Sequence, residues 1–131
     1  AFLNDFFQNA PENITMIEAP MSGAPMKAKD ATLTFMVGAE KNQYENILPI
    51  LNILGEKIHH IGKFGSGMSV KVLNNFVASC SVVAVRHVLS EAKYLKISSE
   101  QLLEILNCSS GQPWFSENIR NIKLLFRKNV V

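Results

Sequence analysis

Residues 65–75 (GSGMSVKVLNN) decide how the chain is interpreted. Two glycines permit a tight turn, and a long helical pattern follows them. Lys71 and Asn75 are four positions apart, so both lie on one helical face. Gly67 lies one turn before Lys71, and we expect it to leave a gap beside the ammonium group. This face could hold a small molecule that carries oxygen atoms.

Spacing alone favours an ordinary solvated lysine at position 71, because lone lysines on helices mostly lie at the surface. The next segment changes that interpretation. Residues 76–85 (FVASCSVVAV) are apolar or small on every face, which predicts a buried helix. We therefore expect Lys71, Asn74 and Asn75 to be partly buried, and buried polar groups need partners.

Composition excludes several classes of function. The 131 residues are 47% hydrophobic and 18% charged with a net charge of +2, which indicates a packed protein with one modest core. Its scattered basic residues do not form a nucleic-acid surface. The cysteines and histidines lack disulfide, zinc or other metal-ligand spacing, so we interpret them as structural residues and expect no metal. They are Cys80, Cys108, His59, His60 and His87.

Targeting and membrane signals also fail to appear in the sequence. The N-terminus has no basic region followed by a long apolar run, which a signal peptide would require. The apolar run 76–85 is shorter than a bilayer span requires. We expect a soluble intracellular protein, cytoplasmic or mitochondrial, that does not associate with a membrane.

Hydrophobic periodicity predicts strands alternating with helices up to residue 62 and almost only helices beyond it. A small-residue loop at 21–25 separates the first two strands, and Pro49 should kink or divide the helix that contains it. The predicted strands are 14–18, 32–37 and 57–62, and the predicted helices are 1–10, 40–54, 66–95, one after the Ser98 cap, and 118–128.

Three blocks in this order, the first of them in two parts, resemble the β-hydroxyacid dehydrogenase family, in its 3-hydroxyisobutyrate dehydrogenase-like branch. They are Glu18–Ala24 with Thr32–Gly38, Gly65–Asn75, and Ser109–Gly111 with Trp114. The resemblance implies an α/β plus all-α fold. Residues 1–62 would be the C-terminal part of a Rossmann-like NAD(P)-binding domain, and 63–131 a long interdomain helix with part of a helical domain.

The resemblance also implies reversible hydride transfer between NAD or NADP and a small β-hydroxy acid. Lys71 would be the acid/base group, and Asn75 would orient it or bind the same oxygen. Free lysine has a pKa of about 10.4, so a base that works near neutral pH requires burial that favours the neutral form. The apolar helix behind Lys71 could supply that desolvation.

Substrate binding falls, by the same resemblance, to Ser22, the backbone N–H groups of Gly23 and Ala24, and Asn74. Neutral donors suit a fixed carboxylate. A 3-hydroxyisobutyrate-like or tartronate-semialdehyde-like substrate is favoured over 6-phosphogluconate, because residues 66–75 contain no cation except Lys71.

Three alanines depart from the family pattern, which often has glycine at their positions: Ala24, Ala31 and Ala39. The added methyl costs little at ordinary backbone angles and more where φ is positive. Substrate choice therefore stays open.

The cofactor site is the larger departure. No GxGxxG occurs, and Gly65 and Gly67 are the only candidates for cofactor contact. We expect the chain to be the central piece of a larger dehydrogenase and to be poorly active alone. The alternative is a non-catalytic oligomerisation or binding module that keeps the fold. Either would form homo-oligomers through its helical part.

Overall fold

The computed structural model describes residues 9, 11, 13–113 and 116. The helices predicted at 118–128 and, apart from Asn9, at 1–10 lie outside the described residues, as does Trp114. The chain divides into two compact units, Ala1–Leu73 and Asn74–Val131. The division lies inside a helix, beyond the boundary expected at residue 62. Each unit is described by itself below.

The elements follow one another as strands β1 to β3 and helices α1 to α4. In chain order they are β1 (Met21–Ser22), α1 (Ala24–Lys29), β2 (Leu33–Gly38), α2 (Lys41–Leu54), β3 (Gly55–Gly62), α3 (Ser66–Tyr94) and α4 (Ser99–Cys108). The sheet order is β1-β2-β3, with β1 antiparallel and β3 parallel to β2. The strand–helix–strand unit β2-α2-β3 is the parallel arrangement expected of a Rossmann-like sheet.

Buried apolar side chains of β2 and α2 form the core of the first unit. Its buried members are Leu33, Phe35, Val37, Ala39 and Leu51. The observed bounds of β2, β3 and α2 confirm the predicted strands at 32–37 and 57–62 and the predicted helix at 40–54 within a residue or two. Helix α2 continues through Pro49 without division. The imidazole of His60 stacks on Tyr44 and lies 2.8 Å from the Ala39 carbonyl oxygen, which supports its structural interpretation.

The strand predicted at 14–18 is wrong in its position. Pairing with β2 begins at Glu18, in an isolated antiparallel bridge to Gly38, and resumes in β1. Pro20 lies between the two and has no N–H to donate, so the ladder is interrupted there. The predicted loop at 21–25 contains β1 and the start of α1.

Positive backbone φ occurs at two of the three alanines that depart from the family pattern. Ala24 has φ 57° and Ala31 has φ 53°. A Cβ is disfavoured in this region, since it crowds the following carbonyl oxygen. Ala39 is not among the described residues with positive φ, and its methyl is buried in the core.

Helix α3 is docked on the end of β2 through Gly67 and Glu18. Glu18 Oε1 accepts hydrogen bonds from the amides of Gly67 (2.6 Å) and Met68 (3.1 Å). A Cβ at Gly67 would overlap the Met36 carbonyl oxygen. Gly67 therefore does not leave the expected gap beside Lys71, because strand backbone fills the space.

The second unit corrects the predicted burial of the apolar helix. Among its described residues, Val85 packs with Val82, Leu89 and Leu103. Phe76, Val77 and Val83 are exposed by 68%, 64% and 67%. Both cysteines are exposed free thiols and not core residues. The predicted cap of α4 is confirmed, since Ser98 Oγ accepts from the Gln101 amide.

By length and composition alone, α3 could cross a membrane. Its most apolar window has a mean hydropathy of 1.5 over 18 residues, of which 6% are buried. The apolar part of α3 is therefore longer than the run 76–85 alone indicated. A core helix of a soluble protein passes the same test, so this finding is weak evidence for a membrane span.

Replacing Ala31 by glycine should raise the free energy of unfolding by about 1 kcal/mol, because it relieves a positive φ at an exposed position. Ala39→Gly is the matched control and should lower the free energy by about 1 kcal/mol, because it removes a buried methyl. Urea unfolding of the 131-residue chain measures both. Destabilisation by Ala31→Gly would contradict the assigned backbone conformation.

Gly67→Ala should destabilise the first unit by about 1–3 kcal/mol, since the added methyl overpacks against strand backbone that cannot move easily. Gly65→Ala is the comparison: φ is 95° there, but an added Cβ meets open space, so only the backbone cost of about 1–2 kcal/mol applies. Amide exchange separates the two variants. Gly67→Ala should release the first turn of α3, and unchanged exchange at Met68 would contradict the docking.

Candidate substrate site

The loop 22–25 is fixed by sheet pairing on one side and by a short helix on the other. Met21 and Ser22 pair with Phe35 and Thr34 of β2. Gly23 follows with φ 139°, which suits glycine, and precedes the first turn of α1. Pro25 lies in that first turn, where its missing N–H removes no helical hydrogen bond. The carbonyls and amides of the loop are therefore held in defined directions.

Lys71 is placed by the beginning of α3. Gly65 makes the preceding turn, and its carbonyl oxygen accepts from the amide (3.1 Å) and the hydroxyl (2.7 Å) of Ser69. Ser66 Oγ donates to the Lys63 carbonyl at 2.6 Å. These bonds and the docking of Gly67 fix the turn that carries Lys71, which is partly buried.

The loop and Lys71 line one cavity of about 350 Å³ within the first unit. Two helices and two strands separate them in sequence. The lining residues are Met21, Ser22, Gly23, Ala24, Pro25, Ala28, Leu33 and Lys71. The structure thus brings together Lys71 with Ser22, Gly23 and Ala24, four of the residues singled out in the sequence.

The polar groups of this cavity are a hydroxyl, backbone groups and one ammonium, with apolar walls from the remaining side chains. Within the part of the chain that the structure describes, no carboxylate forms an ion pair with Lys71. Such a cavity suits a small molecule with one carboxylate and an apolar substituent. Its ammonium could bind a second oxygen of that molecule.

Asn74 and Asn75 lie at the start of the second unit and are exposed. Their proposed roles in substrate binding and in orienting Lys71 stay predictions. Desolvation of Lys71 by the apolar helix also stays a prediction, and Phe76 and Val77 of that helix are exposed.

The described residues do not fit the pyrophosphate of a dinucleotide. The glycine fingerprint is absent from the sequence. The amides of Gly67 and Met68, which would suit an anion at a helix N-terminus, already bind the Glu18 carboxylate. Gly67 therefore serves packing inside the chain, and Gly65 shapes the turn before α3.

Glu18 is the residue that sequence reasoning missed. It was noted only as the first residue of a family-like block. Forty-nine positions separate it from Gly67, so no local pattern links the two. The only signal was a carboxylate directly before Ala19-Pro20, and this signal does not specify a partner.

Comparison with known proteins shows what this chain is similar to. Residues 7–62 match the NAD binding domain of 6-phosphogluconate dehydrogenase. The 2-(hydroxymethyl)glutarate dehydrogenase of Eubacterium barkeri is 34% identical over 108 residues, which are 82% of this chain and 36% of that protein. The mitochondrial 3-hydroxyisobutyrate dehydrogenase of Drosophila melanogaster is 37% identical over 101 residues, which are 77% of this chain and 31% of that protein.

Solved structures lead to the same family. A 3-hydroxyisobutyrate dehydrogenase of Mycobacterium tuberculosis, solved with L-serine, superposes with a TM-score of 0.68 at 33% identity over 75% of this chain and 34% of its own. One from Salmonella typhimurium has a TM-score of 0.76 at 21% identity over 84% of this chain and 39% of its own, and shows the fold alone.

The chain spans about a third of the length of the curated relatives that it matches. Three observations indicate the same family over most of the chain: the order of the motifs, the Rossmann-like sheet and these similarities. The resemblance to the β-hydroxyacid dehydrogenases, in the 3-hydroxyisobutyrate dehydrogenase-like branch, is confirmed by relatives that are 34% and 37% identical over most of this chain.

Proposed function

We propose that this chain supplies the substrate loop and the acid/base lysine of an NAD- or NADP-dependent dehydrogenase of small β-hydroxy acids. One observation carries the proposal: Lys71 and the loop Ser22–Ala24 line the same cavity. The dehydrogenase names of the relatives and the match to an NAD binding domain support the reaction class.

The substrate carboxylate would accept hydrogen bonds from the Ser22 hydroxyl and from the amides of Gly23 and Ala24. Neutral donors hold a permanent anion without changing their own charge during the reaction. This contact leaves the β-hydroxyl to face Lys71 across the cavity. The apolar walls of Met21 and Leu33 suit a methyl substituent.

Lys71 Nζ would take the hydroxyl proton when the alcohol is oxidised and return it to the carbonyl oxygen when the aldehyde is reduced. General acid–base catalysis of this kind contributes about 10²- to 10⁴-fold to a rate. A bound nicotinamide supplies the hydride acceptor or donor, and no residue described here is assigned to it.

The preferred substrate class is 3-hydroxyisobutyrate-like or tartronate-semialdehyde-like. Among the residues that the structure describes, Lys71 is the only cation that lines the cavity, whereas a phosphosugar would need further basic groups. L-serine, named with the Mycobacterium tuberculosis structure, is itself a small β-hydroxy acid. The mitochondrial names of relatives support an intracellular setting, cytoplasmic or mitochondrial.

A second candidate is the non-catalytic oligomerisation module. The exposed apolar side chains of α3, Phe76, Val77 and Val83, favour it, because a surface of this kind often marks a protein interface. The two candidates are compatible, since an enzyme can assemble through the same helix. A pure interaction module would show neither turnover nor dinucleotide binding, whereas an enzyme fragment should keep some affinity for the dinucleotide.

A hybrid enzyme tests the catalytic proposal. This chain would replace the matching segment of the Mycobacterium tuberculosis 3-hydroxyisobutyrate dehydrogenase. We expect Lys71→Met to lower kcat for 3-hydroxyisobutyrate oxidation by about 10²- to 10⁴-fold. Ser22→Ala should raise KM by about tenfold, because one hydrogen bond to a charged group is lost.

Lys63→Met is the matched control, because Lys63 is an exposed lysine of the same unit. Steady-state kinetics with NAD and with NADP measure all three variants. Full turnover by the Lys71→Met hybrid would refute the acid/base role. A folded hybrid that neither binds dinucleotide nor turns over would favour the interaction module.

A further inference from the structure

The Glu18 carboxylate joins the end of β2 to the first turn of α3. The backbone of Glu18 pairs with Gly38 in both directions, at 3.1 and 2.9 Å. Its Oε1 accepts from the Gly67 amide at 2.6 Å and from the Met68 amide at 3.1 Å. One residue is thus bound to the sheet by its main chain and to the helix by its side chain.

Two missing side chains make room for this contact. A Cβ at Gly38 would overlap the Glu18 carboxylate, and a Cβ at Gly67 would overlap the Met36 carbonyl oxygen. Gly67 is buried, so its amide would be costly to leave without an acceptor. The first turn of α3 therefore has little freedom to shift along or away from β2.

Both walls of the substrate cavity start from this contact. On one side, Lys71 lies one helical turn beyond Gly67. On the other, Pro20 accepts from the Met36 amide at 3.0 Å, and Met21 then pairs with Phe35, which leads directly into the substrate loop. A displacement at residue 18 would therefore move the ammonium and the loop relative to each other.

We propose that Glu18 is a positioning residue, whose carboxylate sets the place of Lys71 relative to the loop Ser22–Ala24 by holding the first turn of α3 on β2. The inference rests on the proposed function, because it concerns the position of the acid/base lysine. The same carboxylate fills the anion-binding end of α3, which leaves the loop as the place for the substrate carboxylate.

Amide hydrogen exchange in the 131-residue chain tests the contact without requiring activity. Glu18→Ala should lower the protection of the Gly67 and Met68 amides by about ten- to one-hundredfold, because a charge-assisted acceptor is lost. Glu18→Gln keeps the acceptor oxygen and should stay much closer to wild type. Glu45→Ala, at an exposed glutamate of α2, is the control. Unchanged protection in Glu18→Ala would overturn the proposal.

Kinetics of the hybrid enzyme then test positioning. Glu18→Ala should lower kcat by up to about one-hundredfold, as expected for a misplaced catalytic group, with KM for the dinucleotide unchanged and with rescue by Glu18→Gln. Lost protection without any change in kcat would reduce Glu18 to a structural role. A Glu18→Gln hybrid as slow as Glu18→Ala, with its amides protected, would show that charge acts instead of position.

These outcomes separate the two proposals. If the Lys71→Met hybrid keeps full turnover, the acid/base role of Lys71 fails, and amide exchange still decides whether Glu18 holds the helix. If Lys71→Met is inactive and Glu18→Ala keeps its kcat, the proposed function stands and the positioning role of Glu18 is refuted.

Discussion

The contact between Glu18 and the first turn of α3 is the constraint on which the site depends. Its carboxylate satisfies two of the amides that a helix N-terminus leaves without partners, and its negative charge suits the positive end of the helix dipole. Gly67 permits the approach because strand backbone occupies the space where a side chain would lie. Lys71 and the loop Ser22–Ala24 meet at one cavity as a consequence of this docking.

The Glu18 carboxylate already occupies the anion-binding end of α3, and this limits which groups of the cavity remain for a substrate. In the proposed function, the neutral donors of the substrate loop would therefore bind the substrate carboxylate, and the ammonium of Lys71 would face a hydroxyl or carbonyl oxygen. Separate groups would then bind the substrate and transfer its proton. In that proposal a small β-hydroxy acid is preferred over a phosphosugar, because Lys71 is the one cation among the described residues that line the cavity.

Periodicity predicted β2, β3, α2 and α3, because these depend on local patterns of apolar residues, and the resemblance of the sequence blocks implied the family. Three features could not be predicted in this way. Pairing with β2 begins at Glu18 and not at residue 14, the positive φ at Ala24 and Ala31 depends on turn geometry, and the partner of Glu18 lies forty-nine residues away. The exposure of Phe76 was not predicted. An apolar helix in the sequence indicates a surface that can be buried, but it does not show which part of a protein buries it.

A nuclear magnetic resonance titration of the 131-residue chain with 3-hydroxyisobutyrate tests whether Lys71 and the loop Ser22–Ala24 form one substrate site. We predict that the amide signals of Ser22, Gly23 and Ala24 and the side-chain signals of Lys71 shift together with one affinity, and that Lys71→Met removes part of that affinity. Shifts confined to other residues, or shifts at the loop that do not involve Lys71, would contradict a shared substrate site.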